Sequence, residues 1–166
     1  MRDMSTGEAF TPTIVPEQYK SNSGAAMSAS PSKKDHPNNA PGVPMLFPVW
    51  LERLQIKYMN PLIRPLSKRM PGFAVIKHRG RTSGKDYEAI VSAYRKDGVL
   101  AIGLMHGKTN WVKNVLAAGE ADIHVGRKDL HLVNPRVLPA GTVDPALPRI
   151  PQMLAKRQGT FVADIA

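Results

Sequence analysis

The chain contains no cysteine. That excludes disulfides, thiolate nucleophiles and thiolate metal sites. The lack of thiols also fits a reducing cytoplasm, where the protein is expected to work. No apolar run approaches the roughly 18 residues needed to cross a bilayer. The beginning of the chain carries Asp3, Glu8 and Glu17 and no long apolar core, so it does not read as a signal peptide. Aromatic residues make up only 6% of the chain, and those on expected strands are Phe73, Tyr87 and Tyr94. That is too few for a base-stacking platform, which argues against nucleic acid as partner. His36, His78, His106, His124 and His131 show no metal-ligand spacing on a helix. No serine lies in a G-x-S-x-G elbow. Asp97 and Asp129 belong to turns, and no pair of carboxylates suggests a hydrolase. With no evident nucleophile or general base, an enzyme of this kind must take its reactive chemistry from a cofactor.

The charge balance is more telling. Lys and Arg total 23 against 13 acids, a net charge of +10. Residues 1–44 hold Arg2, Lys20, Lys33 and Lys34 against Asp3, Glu8, Glu17 and Asp35, so the excess lies entirely in residues 45–166. From Arg53 to Lys85 there are nine bases and no acid. A stretch of one sign concentrates anions, although a solvated basic face has the same composition.

Residues 1–44 are small, polar and proline-bearing and offer little apolar surface to offset ordering, so a disordered tail is expected there. Met27 and Met45 leave room for a later start of translation. The folded domain is expected at 45–166. Residues 46–70 read as an amphipathic helix interrupted at Asn60-Pro61, because Phe47, Trp50, Leu51, Leu54, Tyr58, Leu62 and Leu66 recur at steps of three and four. Such a helix can pack on a core, or lie on an anionic membrane through residues 47–66. From Phe73 the period shortens. "FAVIKH" reads as a strand. "YEAIVSAYR" (87–95), "KDG" and "VLAIGL" (99–104) form a hairpin. "TNWVKNVLAAG" (109–119) is a short helix with Thr109 or Asn110 as cap and Gly119 as terminator. "ADIHV" (121–125) and "LHLVNPRVL" (130–138) form a second hairpin, where Pro135 marks an edge or a bulge. A short helix around Gln152 to Lys156 and a strand at 160–165 close the chain. Antiparallel hairpins with an inserted helix predict an α+β, mainly β fold, either a small barrel or an open sheet.

The most distinctive stretch is "HRGRTSGKDYEAIV", residues 78–91. Gly80 and Gly84 relax the backbone around Arg81, Thr82 and Ser83, with Arg79 and Lys85 flanking. Such a loop turns the chain, and it also has the chemistry of an anion site: N–H groups, hydroxyls and a guanidinium fork. It is neither a P-loop nor a dinucleotide fingerprint, since the glycine spacing is G-x-x-x-G and no helix follows.

Together, "GRTSGKDYEAIV" and "GLMHGKTNWVKNVLAAGEADI" resemble the deazaflavin-dependent nitroreductases of actinobacteria, over roughly residues 47–140. The resemblance implies an FMN-binding-like split β-barrel that uses the 8-hydroxy-5-deazaflavin coenzyme F-420. It assigns the coenzyme's phosphate to Arg81, Thr82, Ser83 and Gly84, with Arg79 and Lys85 nearby. It sets Met105, His106, Gly107, Asn110 and Trp111 beside the deazaflavin ring, and leaves Asn114 and Leu116 to helix packing. Thr82 departs from the pattern, because many relatives carry a base there. The implied reaction is hydride transfer from the reduced coenzyme to a quinone, nitroaromatic or activated olefin. His106 is the candidate proton donor, since an ordinary histidine titrates near neutrality. The coenzyme's glutamate chain would lie along the basic stretch from Arg53 to Lys85. A quinone acceptor would bring the protein to the inner face of the cell membrane through residues 47–66. A deazaflavin carrier and a basic lipid-binding domain remain alternatives, and the oligomeric state, monomer or homodimer, is open.

Overall fold

A computed structural model describes residues 36–48 and 72–166. The expected helix over 46–70 therefore lies mostly outside the described residues, as does the basic run from Arg53 to Arg69. The described part of it, Leu46 to Pro48, is not helical.

Among the described residues there are six strands: β1 (Phe73–Arg79), β2 (Asp86–Lys96), β3 (Val99–Gly103), β4 (Glu120–Val125), β5 (Lys128–Leu138) and β6 (Thr160–Ile165). Helix α1 (Asn110–Ala118) joins β3 to β4, and α2 (Arg149–Leu154) lies between β5 and β6. The strands close into a barrel in the order β1-β2-β3-β6-β5-β4, and every pairing is antiparallel. Of the two arrangements the hairpins allow, a barrel and an open sheet, this is the barrel, with the inserted helix, as the resemblance implies.

Local chemistry sets the register. Lys96 pairs with Val99, so Asp97 and Gly98 are the two turn residues, and both have positive φ (48° and 79°). That is the primed turn whose twist matches the strands it joins. Gly126, at φ 67°, opens the turn between β4 and β5. Pro135 sits in a register shift between Val133 and Arg136. It is a bulge and not a free edge, because the barrel has none to offer it.

Alternation along the strands fills the barrel with Ala74, Ile76, Val91, Ala93, Leu100, Ile102, Ile123, Leu132, Phe161 and Ala163. Helix α1 adds Val112 and Val115 to that core, at the three-residue step that puts both on one face. It ends at Gly119, in the left-handed conformation (φ 79°), whose N–H bonds to Val115 O. A second, smaller cluster lies on the outer face of β3 and β6, where Leu147 and Ala155 cover Ala101 and Val162.

Residues 36–45 correct one expectation. The disordered tail was expected to run to residue 44, but Val43 (4% exposed) is in the main core and Met45 (5%) is buried. Backbone bonds tie the segment down: Lys108 N–H to Asn38 O (2.7 Å), Ala140 N–H to Gly42 O (2.6 Å) and Leu46 N–H to Met105 O (2.9 Å). Composition alone misses it because its order comes from carbonyls and amides distant in sequence.

Candidate functional site

The glycine loop is a six-residue connection, Gly80–Lys85, because β1 and β2 pair as far as Arg79 with Asp86. Gly80 N–H donates to Lys85 O (2.7 Å) and Gly84 N–H to Gly80 O (2.8 Å). Arg81 N–H reaches Asn114 Oδ1 (3.3 Å), and Lys85 N–H reaches Ser83 Oγ (3.4 Å). Four of the six loop N–H groups therefore have partners inside the protein. The loop is a braced turn, and the side chains of Arg81, Thr82, Ser83 and Lys85 are exposed on it.

The bases of the loop differ sharply. Arg79 donates through Nε to Gly84 O (2.9 Å) and lies 3.7 Å from Asp86, so it braces the loop and faces an acid. Lys77 pairs across the sheet with Glu88 on one side and Asp122 on the other. The acid-free run of the sequence is thus not acid-free in space where it is described. Arg81 is the exception. Its Nη1 donates to Asn114 Oδ1 at 2.8 Å, a neutral acceptor that aims the guanidinium without cancelling its charge. Thr82, Ser83 and Lys85 are exposed, and Ser83 Oγ lies 3.1 Å from Tyr87 Oη.

Asn114 joins the two sequence blocks. It is 2% exposed, on the inner side of α1. Its Oδ1 accepts from Arg81, so its Nδ2 donates to His78 Nδ1 (3.2 Å). That sets His78 as an acceptor at Nδ1, a neutral ring with its proton on Nε2. Burial agrees, lowering the His78 pKa to about 4. The ring stacks on Tyr87 with centroids 5.8 Å apart. Sequence reasoning assigned Asn114 to helix packing and gave His78 no role. A polar residue on the apolar face of a short helix was the available signal.

The other side of the site is the β3–α1 connection. Met105 is partly exposed, and Gly107 (φ 74°) is buried against the Asn38 carbonyl. His106 forms a β-bridge with Met45, and its ring lies 5.3 Å from that of Phe47. Burial lowers the His106 pKa and so favours the neutral imidazole. That weakens the expected proton-donor role, since a neutral ring offers only a poorly acidic N–H. Its Nδ1 is buried without a partner. Thr109 stands at the N-cap of α1, yet its hydroxyl caps nothing and is also buried and unpartnered. Asn110 is half-buried at the helix start. Trp111 is half-buried and meets Phe161 edge-on at 5.1 Å, so its ring is anchored in the barrel core.

Two further lysines stand nearby. Lys113 donates from Nζ to Pro37 O (3.0 Å). Its pKa is lowered by burial, then by the charges of Arg81 and Lys108. The donor set here, a guanidinium on a neutral amide near ammonium groups that have no carboxylate partner among the described residues, fits an anion. Along β1, β2 and β4, a cavity of about 650 Å³ runs past His78 and Tyr87, lined by Lys77 and Arg79 as well as by Asp86, Glu88, Glu120 and Asp122, so it is not a one-sign strip for an anionic chain.

No protein-family model matches this chain, and no curated protein matches it. Among solved structures, it is similar to one titled "Structure of F-420-H2 Dependent Reductase (FDR-A)", at 15% identity and a TM-score of 0.40, over 56% of this chain and 94% of that one. It is also similar to a structure titled as a domain-swapped dimer, at 17% identity and a TM-score of 0.40, over 69% of this chain and 97% of that one. Likeness at that level carries no weight for fold or ligand. The fold rests on the strand pairing, and the site on its own geometry.

Proposed function

We propose that the protein binds the deazaflavin coenzyme F-420 and passes its hydride to a small electrophile, a quinone, nitroaromatic or activated olefin. The observation that carries this reading is the Arg81–Asn114–His78 chain. It joins the two blocks whose sequence resembles deazaflavin-dependent nitroreductases into one connected site on an antiparallel barrel. When bound, the reduced coenzyme would supply the hydride. The protein's share is binding, orientation and exclusion of water.

Arg81 would take the phosphate, because its charge is uncompensated and Asn114 fixes its direction. Thr82, Ser83 and Lys85 are exposed at the same loop and would complete the anion's solvent side. Arg79 would act on the loop, through Gly84, and not on the ligand. Met105, Gly107 and Asn110 would border the ring. Trp111 would hold α1, which begins at Asn110 and follows the connection that carries Met105 and Gly107. His106, neutral and with a free Nδ1, would accept a hydrogen bond more readily than it would release a proton.

The test is turnover. Oxidation of the reduced coenzyme by menadione and by a nitroaromatic should be catalysed by wild type and fall sharply in Arg81→Ala at subsaturating coenzyme. Binding without turnover of any quinone, nitro compound or activated olefin would make the protein a deazaflavin carrier. Binding to anionic vesicles with none to the coenzyme would make it a basic lipid-binding domain. Placement on the cytoplasmic face of a membrane belongs to the same reading and rests on residues 47–66. Among the described residues, no helix is long and apolar enough to cross a bilayer.

A further inference from the structure

The segment between β5 and β6 covers Ala101 and Val162 with Leu147 and Ala155, and Pro151 is the buried residue of α2. The side of this segment turned to solvent carries apolar side chains as well. Val143 (78% exposed), Ile150 (44%) and Met153 (64%) are three of the five large exposed hydrophobics among the described residues. Single exposed hydrophobics are ordinary, whereas a group of them marks a contact surface. Ile150 and Met153 are three residues apart on α2 and so share a face. Val143 is tied to the same place by its neighbours. Gly141 N–H donates to Ala155 O (2.7 Å), and Asp144 O accepts from Leu147 N–H (3.1 Å) and from Gln152 Nε2 (3.4 Å).

The charges around this group have one sign. Arg149, Lys156 and Arg157 are exposed, and none of them is in an ion pair among the described residues. Lys96 joins them, donating from Nζ to Pro145 O (2.7 Å). The only acid from residue 139 to residue 159 is Asp144, whose Oδ1 accepts from Ala146 N–H (2.9 Å) within its own turn. This combination favours one occupant. A nucleic acid would use the bases but leave Ile150 and Met153 in water. A second copy across a twofold axis would set the same bases against one another. An anionic bilayer surface takes both, with the apolar side chains below the headgroups and the cations among them.

We propose that the face formed by Val143, Ile150 and Met153, rimmed by Arg149, Lys156 and Arg157, rests on an anionic lipid surface. One short helix and one turn carry the contact, so it is shallow, needs anionic headgroups and weakens with salt. It does not depend on coenzyme binding, and it uses a different surface from residues 47–66.

The test is co-sedimentation of the full chain with vesicles of phosphatidylglycerol and phosphatidylcholine in equal parts, against pure phosphatidylcholine. Wild type should bind the mixed vesicles and not the neutral ones. The triple variant Arg149→Gln, Lys156→Gln, Arg157→Gln and the double variant Ile150→Ser, Met153→Ser should each weaken that binding by about tenfold or more. All five side chains are exposed, so the variants should stay folded, which thermal unfolding checks. A second measurement reads the contact even if a variant folds poorly. The chain has no cysteine, so Met153→Cys carries a single polarity-sensitive fluorophore. Lys77→Cys is the control, exposed on β1, which lies across the barrel from β6. The mixed vesicles should shift the Met153 probe to the blue and leave the Lys77 probe unmoved. No binding of mixed vesicles by wild type, undiminished binding by both multiple variants, or a Met153 probe that shifts no more than the Lys77 probe each overturns the proposal. Undiminished binding by the variants would move the lipid contact to another part of the chain.

Discussion

Replacing Asn114 with alanine should do more damage than its size suggests. The side chain is 2% exposed and makes three contacts: it accepts from Arg81 N–H (3.3 Å) and Arg81 Nη1 (2.8 Å) and donates to His78 Nδ1 (3.2 Å). A neutral hydrogen bond contributes about 1 kcal/mol net, and leaving a buried partner unsatisfied costs about 1 to 3 kcal/mol. Arg81 is exposed, so its guanidinium regains water and that bond is discounted. The backbone N–H of Arg81 and the His78 ring are less well placed to do so. The expected loss is about 2 to 3 kcal/mol, a drop in Tm of about 5 to 10 °C. Arg81→Ala alone should cost under about 1 kcal/mol of stability, as exposed substitutions usually do. Because the two residues share bonds, the double mutant should be more stable than the sum of the singles predicts, by about 0.5 to 1 kcal/mol. Thermal and urea unfolding of the four proteins measures this. Strict additivity would mean that the loop and the helix are not coupled through Asn114.

Three other outcomes follow from named contacts. The His78 pKa is held at about 4 by burial, below its unfolded value of 6.5. The unfolded state then binds the extra proton between those values, so stability should fall as pH drops from 6.5 towards 4, by about 1 to 2 kcal/mol once the partial exposure of the ring is discounted. His78→Gln should flatten that part of the curve. Gly107→Ala should cost about 3 kcal/mol or more, because φ is 74° and a Cβ would strike the Asn38 carbonyl. Gly84→Ala, at φ 66° in open space, should cost only about 1 to 2 kcal/mol. Chemical denaturation ranks the two glycine variants, and the reverse order would refute the packing of residues 36–39 on the β3–α1 connection. His106→Gln should leave coenzyme affinity unchanged and lower turnover only slightly, because burial favours the neutral imidazole; a large loss of turnover would restore it as the proton donor.

The hairpins and the inserted helix were legible because their determinants are local, whereas closure of the barrel rests on the distant pairings of β1 with β4 and of β3 and β5 with β6. The short apolar, partly β-branched run "FAVIKH", the strand "YEAIVSAYR", the Asp97-Gly98 turn and the terminating Gly119 each act within a few residues, and each lies where the sequence places it. Pro135 read as either an edge or a bulge, and only closure of the barrel decides between them. The site was legible in its loop and hidden in its supports. Arg79 and Arg81 look alike in sequence, yet one faces Asp86 and the other the amide of Asn114. The pairing of Arg79 with Asp86 follows from the hairpin register and was open to inference. The contact of Arg81 with Asn114 spans 33 residues, and no local rule anticipates it. The same holds for Lys113, whose partner is a carbonyl 76 residues earlier in a segment that composition reads as disordered.

The most direct test of the cofactor reading is a titration with oxidised coenzyme, followed by the fluorescence of Trp50 and Trp111, for wild type and Arg81→Ala. The same titration with the deazaflavin core lacking the phosphodiester serves as comparison. The account predicts saturable binding of the coenzyme, weakened about tenfold by Arg81→Ala, or about 1.4 kcal/mol, with the core's affinity the same in both proteins. Coenzyme binding that is equal in wild type and Arg81→Ala, or absent from both, would contradict it.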